Sequence, residues 1–148
     1  MGKIKAINIS NLDGENTFYI NQAILLKNKG IVNDRYYNNF KKNYEQVTLI
    51  ESENIDTFNM KIKKKLDYKD FRRNIITSGI DLNNNINKKI KINNVVLKIH
   101  CLCQPCKYLQ DKLGIKNLVR HLAYKSGVRA EILISGEISN YDQIKIVR

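Results

Sequence analysis

The feature that most constrains the fold is the recurrence of short apolar runs separated by turn-forming residues. KIKAINIS, QAILLK, QVTLI, RRNIIT, KKIKI, VVLKIHCLC, RAEILIS and QIKIV follow one another at similar spacing, and each reads as a strand. The first run alternates and then changes phase between Ala6 and Ile7, as a bulge requires. Asn93 and Asn94 separate two runs and suit a two-residue hairpin turn, because Asn tolerates positive φ. Helical spacing is confined to two places. Ser52 is placed to cap a helix over 53–58, with Glu53 and Asp56 in its early turns. IKNLVRHLAYKSG repeats apolar residues at 115, 118, 119, 122 and 123, and Gly127 lies beyond its expected end. Many strands with two or three short helices predict a mainly β chain that closes as a barrel. Propensity alone leaves the topology open.

The chain is 148 residues long, 43% hydrophobic and free of repeats or linkers, so one domain over residues 1–148 is expected. Three cysteines, an odd and low number, suit a reducing cytoplasm. Lys3, Lys5 and Asn8 interrupt any N-terminal signal, and AILL is too short to span a bilayer, which points to a soluble cytoplasmic protein. The net charge of +12 admits a nucleic-acid surface. Yet the excess is largely lysine accompanied by Asn and Ile, a mixture that A·T-rich codon usage also produces. KIKKK (61–65) alternates with apolar positions only once, as a solvated loop or edge would. Attraction of a small anionic ligand is equally compatible with the charge.

All three cysteines, the only proline and one of two histidines fall within HCLCQPC, residues 100–106. If VVLKIHCLC is a regular strand, Val95, Leu97, Ile99, Cys101 and Cys103 share an apolar face, and Cys101 and Cys103 act as small core residues. Pro105 ends the ladder, leaving Cys106 beyond the strand as the one thiol placed for reactivity. Structural zinc wants four ligands, and no second Cys or His pair exists elsewhere. Cys103 and Cys106 have CxxC spacing, a weak redox signal by itself. Two further stretches stand out. KGIVNDRYY offers Asp34 and Arg35 after a tight turn, and DFRRNIITSGIDL carries Arg72, Asn74, Thr77 and Ser78. Arginines, an amide, hydroxyls and free backbone amides together suit an anionic ligand, and a capped strand end with surface arginines is the plainer alternative.

The ordered set NDR, QVTLIE, RRNIITSGIDL, CQPC and GVRAEILISGEI resembles a stand-alone MOSC domain, the family named after the C-terminal domain of molybdenum cofactor sulfurases. The resemblance runs from about residue 4 to 147. It implies a β-barrel of the pyruvate-kinase-insert type and a role in sulfur or molybdenum-cofactor chemistry. A late cysteine of the family carries a persulfide or ligates molybdenum, and that role transfers to Cys106. Arg72, Asn74 and Ser78, with the neighbouring Thr77, match positions that hold the molybdopterin and its phosphate in cofactor-bearing relatives, and Arg35 belongs to the Asp-Arg motif.

Some positions depart from the family pattern. Asn33 stands where Gly commonly precedes the Asp-Arg pair, and SNYDQ (139–143) lacks the usual Gly. The N-terminal extension of the amidoxime-reducing relatives is missing, which implies an open or partner-completed site. No pyridoxal-phosphate domain is present, so sulfur would come from a partner cysteine desulfurase. The resulting first expectation is a sulfur carrier or cofactor-handling protein. The second is a molybdenum-dependent reductase component acting on N-hydroxylated compounds with an electron-donor partner. A basic nucleic-acid-binding barrel is the most distant reading.

Overall fold

The computed structural model describes residues 2–147. In chain order its elements are β1 (Gly2–Ile9), β2 (Phe18–Ile20), β3 (Gln22–Leu26), β4 (Gly30–Ile31), β5 (Val47–Glu51), α1 (Ser52–Ile62), β6 (Ile75–Ser78), β7 (Lys89–Ile92), β8 (Val95–Leu102), α2 (Lys107–Leu113), α3 (Leu118–Leu122), β9 (Val128–Ile134), β10 (Gly136–Ser139) and β11 (Gln143–Val147). Strands β11, β7, β8, β9, β5, β6 and β1 pair in that order, and β1 pairs back onto β11, so the sheet closes into a barrel. The short β2 pairs with β1, and β3 joins β10 and β4 in a small second sheet. Closure leaves the barrel strands few unpaired backbone groups. The one parallel pair among the described residues, β5 with β6, requires a crossover, which α1 and a 3-10 turn at Tyr68–Phe71 supply.

The crossover explains why β5 and β6 read as unbroken apolar runs instead of alternating ones. Leu49 and Ile75 point into the barrel with Ile4, Leu97, Ile99, Val128 and Ala130. Ile50 and Ile76 point outward into a second cluster with Ile55, Phe58, Phe71, Leu109 and Leu122. Both faces are therefore buried. Phe58 and Phe71 meet edge-on with centroids 5.7 Å apart. Helix α1 stops where Lys63 turns left-handed at φ 56, and the Asn59 side chain both accepts from the Leu66 amide and donates to its carbonyl.

Several expected details change. The bulge in β1 falls between Ile4 and Ala6, one step earlier than the sequence implied. Ser52 is the first residue of α1, whose cap position is Glu51, and the helix runs to Ile62. The expected helix around residue 120 is reduced to α3, because Asn117 adopts φ 63 and interrupts it, while α2 precedes it unforeseen. Gly127 caps no helix. It sits at φ +98 where a Cβ would lie 2.1 Å from the Leu49 carbonyl oxygen, so only glycine lets β9 approach β5. Asn33 is left-handed at φ 72, the conformation its substitution for glycine requires.

Candidate functional site

Strand β8 carries a bulge between Ile99 and Cys101, with Ala130 opposite Ile99 and Arg129 opposite Cys101. The extra residue, His100, reverses the phase of Cys101 and Leu102. Leu102 packs on the barrel core, and Cys101 is only half-buried. The regular-strand expectation that Cys101 shares the core face with Ile99 is thus corrected. Burial still pushes the Cys101 thiol upward, partly opposed by the positive charge of Arg129. Cys103 is buried and Cys106 exposed.

The segment between them is held by its backbone. The Cys103 amide donates to the Gly127 carbonyl at 2.8 Å. The Arg73 guanidinium donates to the carbonyls of Cys103 (3.3 Å), Gln104 (3.5 Å) and Ser126 (2.8 Å), and to the Ser126 hydroxyl at 2.7 Å. The Tyr124 amide donates to the Gln104 side chain at 3.0 Å. Pro105 is buried, and no turn bends the chain from Cys103 to Cys106. Helix α2 then begins at Lys107, with the Gln110 amide donating to the Cys106 carbonyl at 3.2 Å and Leu109 anchored in the outer cluster.

Cys106 opens onto a cleft of about 460 Å³ whose wall includes Arg35, Arg72, Arg73, Arg129 and Tyr108. Arg72 follows the 3-10 turn in a left-handed conformation at φ 60. A non-glycine residue there is strained, a feature common at functional sites. Its guanidinium donates to the Glu15 carbonyl, and its own carbonyl accepts from Arg35 at 2.8 Å. Arg35 is paired with Asp34 at 3.2 Å, and Asp34 also accepts from the Ser10 amide at 3.1 Å. The Asp-Arg pair therefore ties the loop after β4 to the loop after β1 and to Arg72. Burial, followed by the charge of Arg35, lowers the Arg72 pKa from its ordinary value. Asp34 balances Arg35 and Asp13 also lines the wall, so the surplus positive charge that favours an anion comes from Arg72, Arg73 and Arg129.

The structure brings Arg35, Arg72 and Cys106 together and places the other sequence-selected residues elsewhere. Asn74 is fully buried in the barrel seam, where its side chain accepts from the Thr48 amide and hydroxyl at 3.1 Å each and donates to the Asn8 carbonyl at 3.4 Å. Thr77 is fully buried against the Ile50 carbonyl. Ser78 lies four strand residues beyond Asn74, about 13 Å along β6. That end is acidic. Glu53 accepts from the Gly79 amide at 2.8 Å, and burial, then the charges of Asp81 and Glu53, raise Glu51 to about 7. Arg73, Arg129 and Tyr108 line the cleft although sequence reasoning did not select them. The second arginine of RRN and the aromatic two residues after Cys106 were the available signals.

Among the described residues, no group of three or more His, Cys, Asp and Glu side chains converges as a metal set, and no helix is long and apolar enough to cross a membrane. The family model of the MOSC domain matches residues 37–145. The structure resembles the YuaD protein from Bacillus subtilis with a TM-score of 0.85 at 17% identity, covering 99% of this chain and 96% of that one. It resembles YiiM from Geobacillus stearothermophilus at 0.81 and 14%, covering 100% and 76%. YiiM from Escherichia coli gives 0.76 and 12%, with 99% and 70% covered. At these identities the likeness concerns the fold alone. No curated protein matches the chain. With the family model matched over most of its length, the chain belongs to the MOSC domain family.

Proposed function

We propose that the protein is a sulfur carrier in molybdenum-cofactor chemistry, with Cys106 as the thiol that accepts and releases sulfur. The observation that carries the reading is the exposed Cys106 thiol on the rim of a cleft walled by four arginines. A cofactor-related role fits a MOSC domain. The residues present also fit such a group. The cleft volume lies in the range of small-molecule sites, guanidinium groups suit a pterin's phosphate, and a thiolate suits a soft metal ion. Arg72 and Arg129 would face the phosphate, while Arg35 and Arg73 hold the backbone around them. When bound, the cofactor supplies a metal centre that accepts sulfur ligands.

Sulfur loading requires the thiolate of Cys106 to attack the outer sulfur of a desulfurase persulfide. A new S–S bond forms on Cys106, the donor's own S–S bond breaks, and the donor cysteine leaves as thiolate. Exposure of Cys106 gives a partner access, and the Arg73 bonds keep the approach fixed. The reductase reading requires the same residues to retain molybdenum through turnover, with electrons from a partner. The cleft favours the carrier because it is open to solvent beside Cys106. Protein purified from a cofactor-competent host should contain substoichiometric molybdenum. Near-equimolar, tightly held metal would favour the reductase.

A further inference from the structure

The cationic surface continues past the Cys106 cleft. A second cavity of about 320 Å³ is lined by Asn16, Thr17, Lys69, Asp70, Arg72 and Lys112. The two cavities share Arg72 and are built by the same two segments. The loop after β1 lines the first with Asp13 and Gly14 and the second with Asn16 and Thr17. Helix α2 lines the first with Tyr108 and Leu109 and the second with Lys112 and Leu113, four residues on. Four helical residues rise about 6 Å.

The boundary is a saddle made by Glu15, whose carbonyl accepts from Arg72, and by Gly14, whose carbonyl accepts from Lys112 at 3.3 Å. The Tyr108 ring centre is 6.0 Å from the Arg72 guanidinium carbon and 5.9 Å from the Lys112 nitrogen. Asp70 is engaged in its own turn, accepting from the Asp67 amide at 2.9 Å. Among the described residues, neither Lys69 nor Lys112 forms a salt bridge. Beyond Arg72 the second cavity thus carries Lys112, Lys69, whose nitrogen lies 5.7 Å from the Tyr19 ring centre, and the single carboxylate of Asp70, which leaves it net positive.

We propose that the two cavities form one trough for a ligand with two phosphate charges in series, a diphosphate ester of the dinucleotide type, whose far end points away from Cys106. One phosphate would need only Arg72 and Arg129 of the Cys106 cleft. Lys69 and Lys112 give a second charge its own position, and the Tyr108 ring offers a face beside the first. The trough provides two such steps, which suits a diphosphate better than the continuing phosphates of a nucleic-acid strand. This assignment rests on reading the Cys106 cleft as a ligand site, and it names the ligand class.

Calorimetric titration with inorganic phosphate and inorganic pyrophosphate tests it. The wild-type protein should bind pyrophosphate at least tenfold more tightly than phosphate. The Lys69→Ala/Lys112→Ala variant, with an unchanged melting temperature, should lose that preference while keeping its phosphate affinity and the labelling rate of Cys106. Lys64→Ala, in the basic run outside the trough, should bind both as the wild type does. Equal affinity of the wild type for the two anions would overturn the proposal. So would an equal loss in Lys64→Ala, or displacement of pyrophosphate by a short single-stranded oligonucleotide at lower concentration than by a free dinucleotide. Failure of Cys106 to accept sulfur with the pyrophosphate preference intact would remove the carrier function and leave the trough standing.

Discussion

Arg73→Ala should loosen the segment that presents Cys106 and cost the protein about 2–3 kcal/mol. The bonds to the Ser126 carbonyl at 2.8 Å and hydroxyl at 2.7 Å are the strong ones, because Ser126 is buried and both donors are ionised. Charged hydrogen bonds of this kind contribute roughly 1.5–3 kcal/mol each. The contacts to the Cys103 and Gln104 carbonyls at 3.3 and 3.5 Å are longer, and Arg73 is only half-buried, so water replaces part of what is lost. For a chain of this size the loss corresponds to a fall in Tm of about 5–10 °C. Arg73→Lys keeps the charge but cannot reproduce the fork, and should recover less than half of the deficit. Thermal unfolding and thiol labelling measure both consequences, with Cys106 labelled at an altered rate once its neighbours move. If Arg73→Ala melted within 2 °C of the wild type (roughly 1 kcal/mol or less) with Cys106 labelling unchanged, the guanidinium would not be the element that fixes the site.

Gly127→Ala should cost about 3–5 kcal/mol, from left-handed strain plus collision with the Leu49 carbonyl, whereas Gly114→Ala, at φ +65 with open space around it, should cost about 1 kcal/mol; denaturant titration separates the two. Glu51 holds its proton to about 7 when folded and releases it near the usual carboxylate value when unfolded, so its contribution is present at pH 4 and lost as pH rises through 7. Discounted for a half-exposed carboxyl, Glu51→Gln should stabilise the protein by about 1–2 kcal/mol at pH 8 and leave it unchanged at pH 4, as urea midpoints would report. Cys101→Ser should change stability by less than about 0.5 kcal/mol, because the bulge takes that side chain out of the barrel core; a loss above about 2 kcal/mol in urea unfolding would restore it to the core.

The strands were legible because apolar residues within each run are close in sequence and share a face whatever their partners. Closure as a barrel was expected from the number of strands, but the order in which they pair was not legible, since it depends on contacts such as Gly2 and Lys3 meeting Ile144 and Gln143 from the far end of the chain. Helix α2 was hidden by its shortness and by Pro105 just before it, although Gly114, left-handed at its end, was a readable stop signal. Cys106 could be selected because proline ends a ladder locally. The bulge at His100 could not be seen, and it alone moved Cys101 off the core face. Thr77 and Ser78 were correctly placed at the end of a strand. Which end of β6 faces the cleft depends on the barrel's closure, and Arg72 and Arg73 stand at the opposite end.

The most direct measurement is mass spectrometry of the protein after incubation with a cysteine desulfurase and cysteine. One sulfur atom added to Cys106, removed by a thiol reductant and absent from Cys106→Ser, is the result the account predicts. Sulfur on Cys101 or Cys103 instead, or no added sulfur on a protein that retains molybdenum near one equivalent, would contradict it.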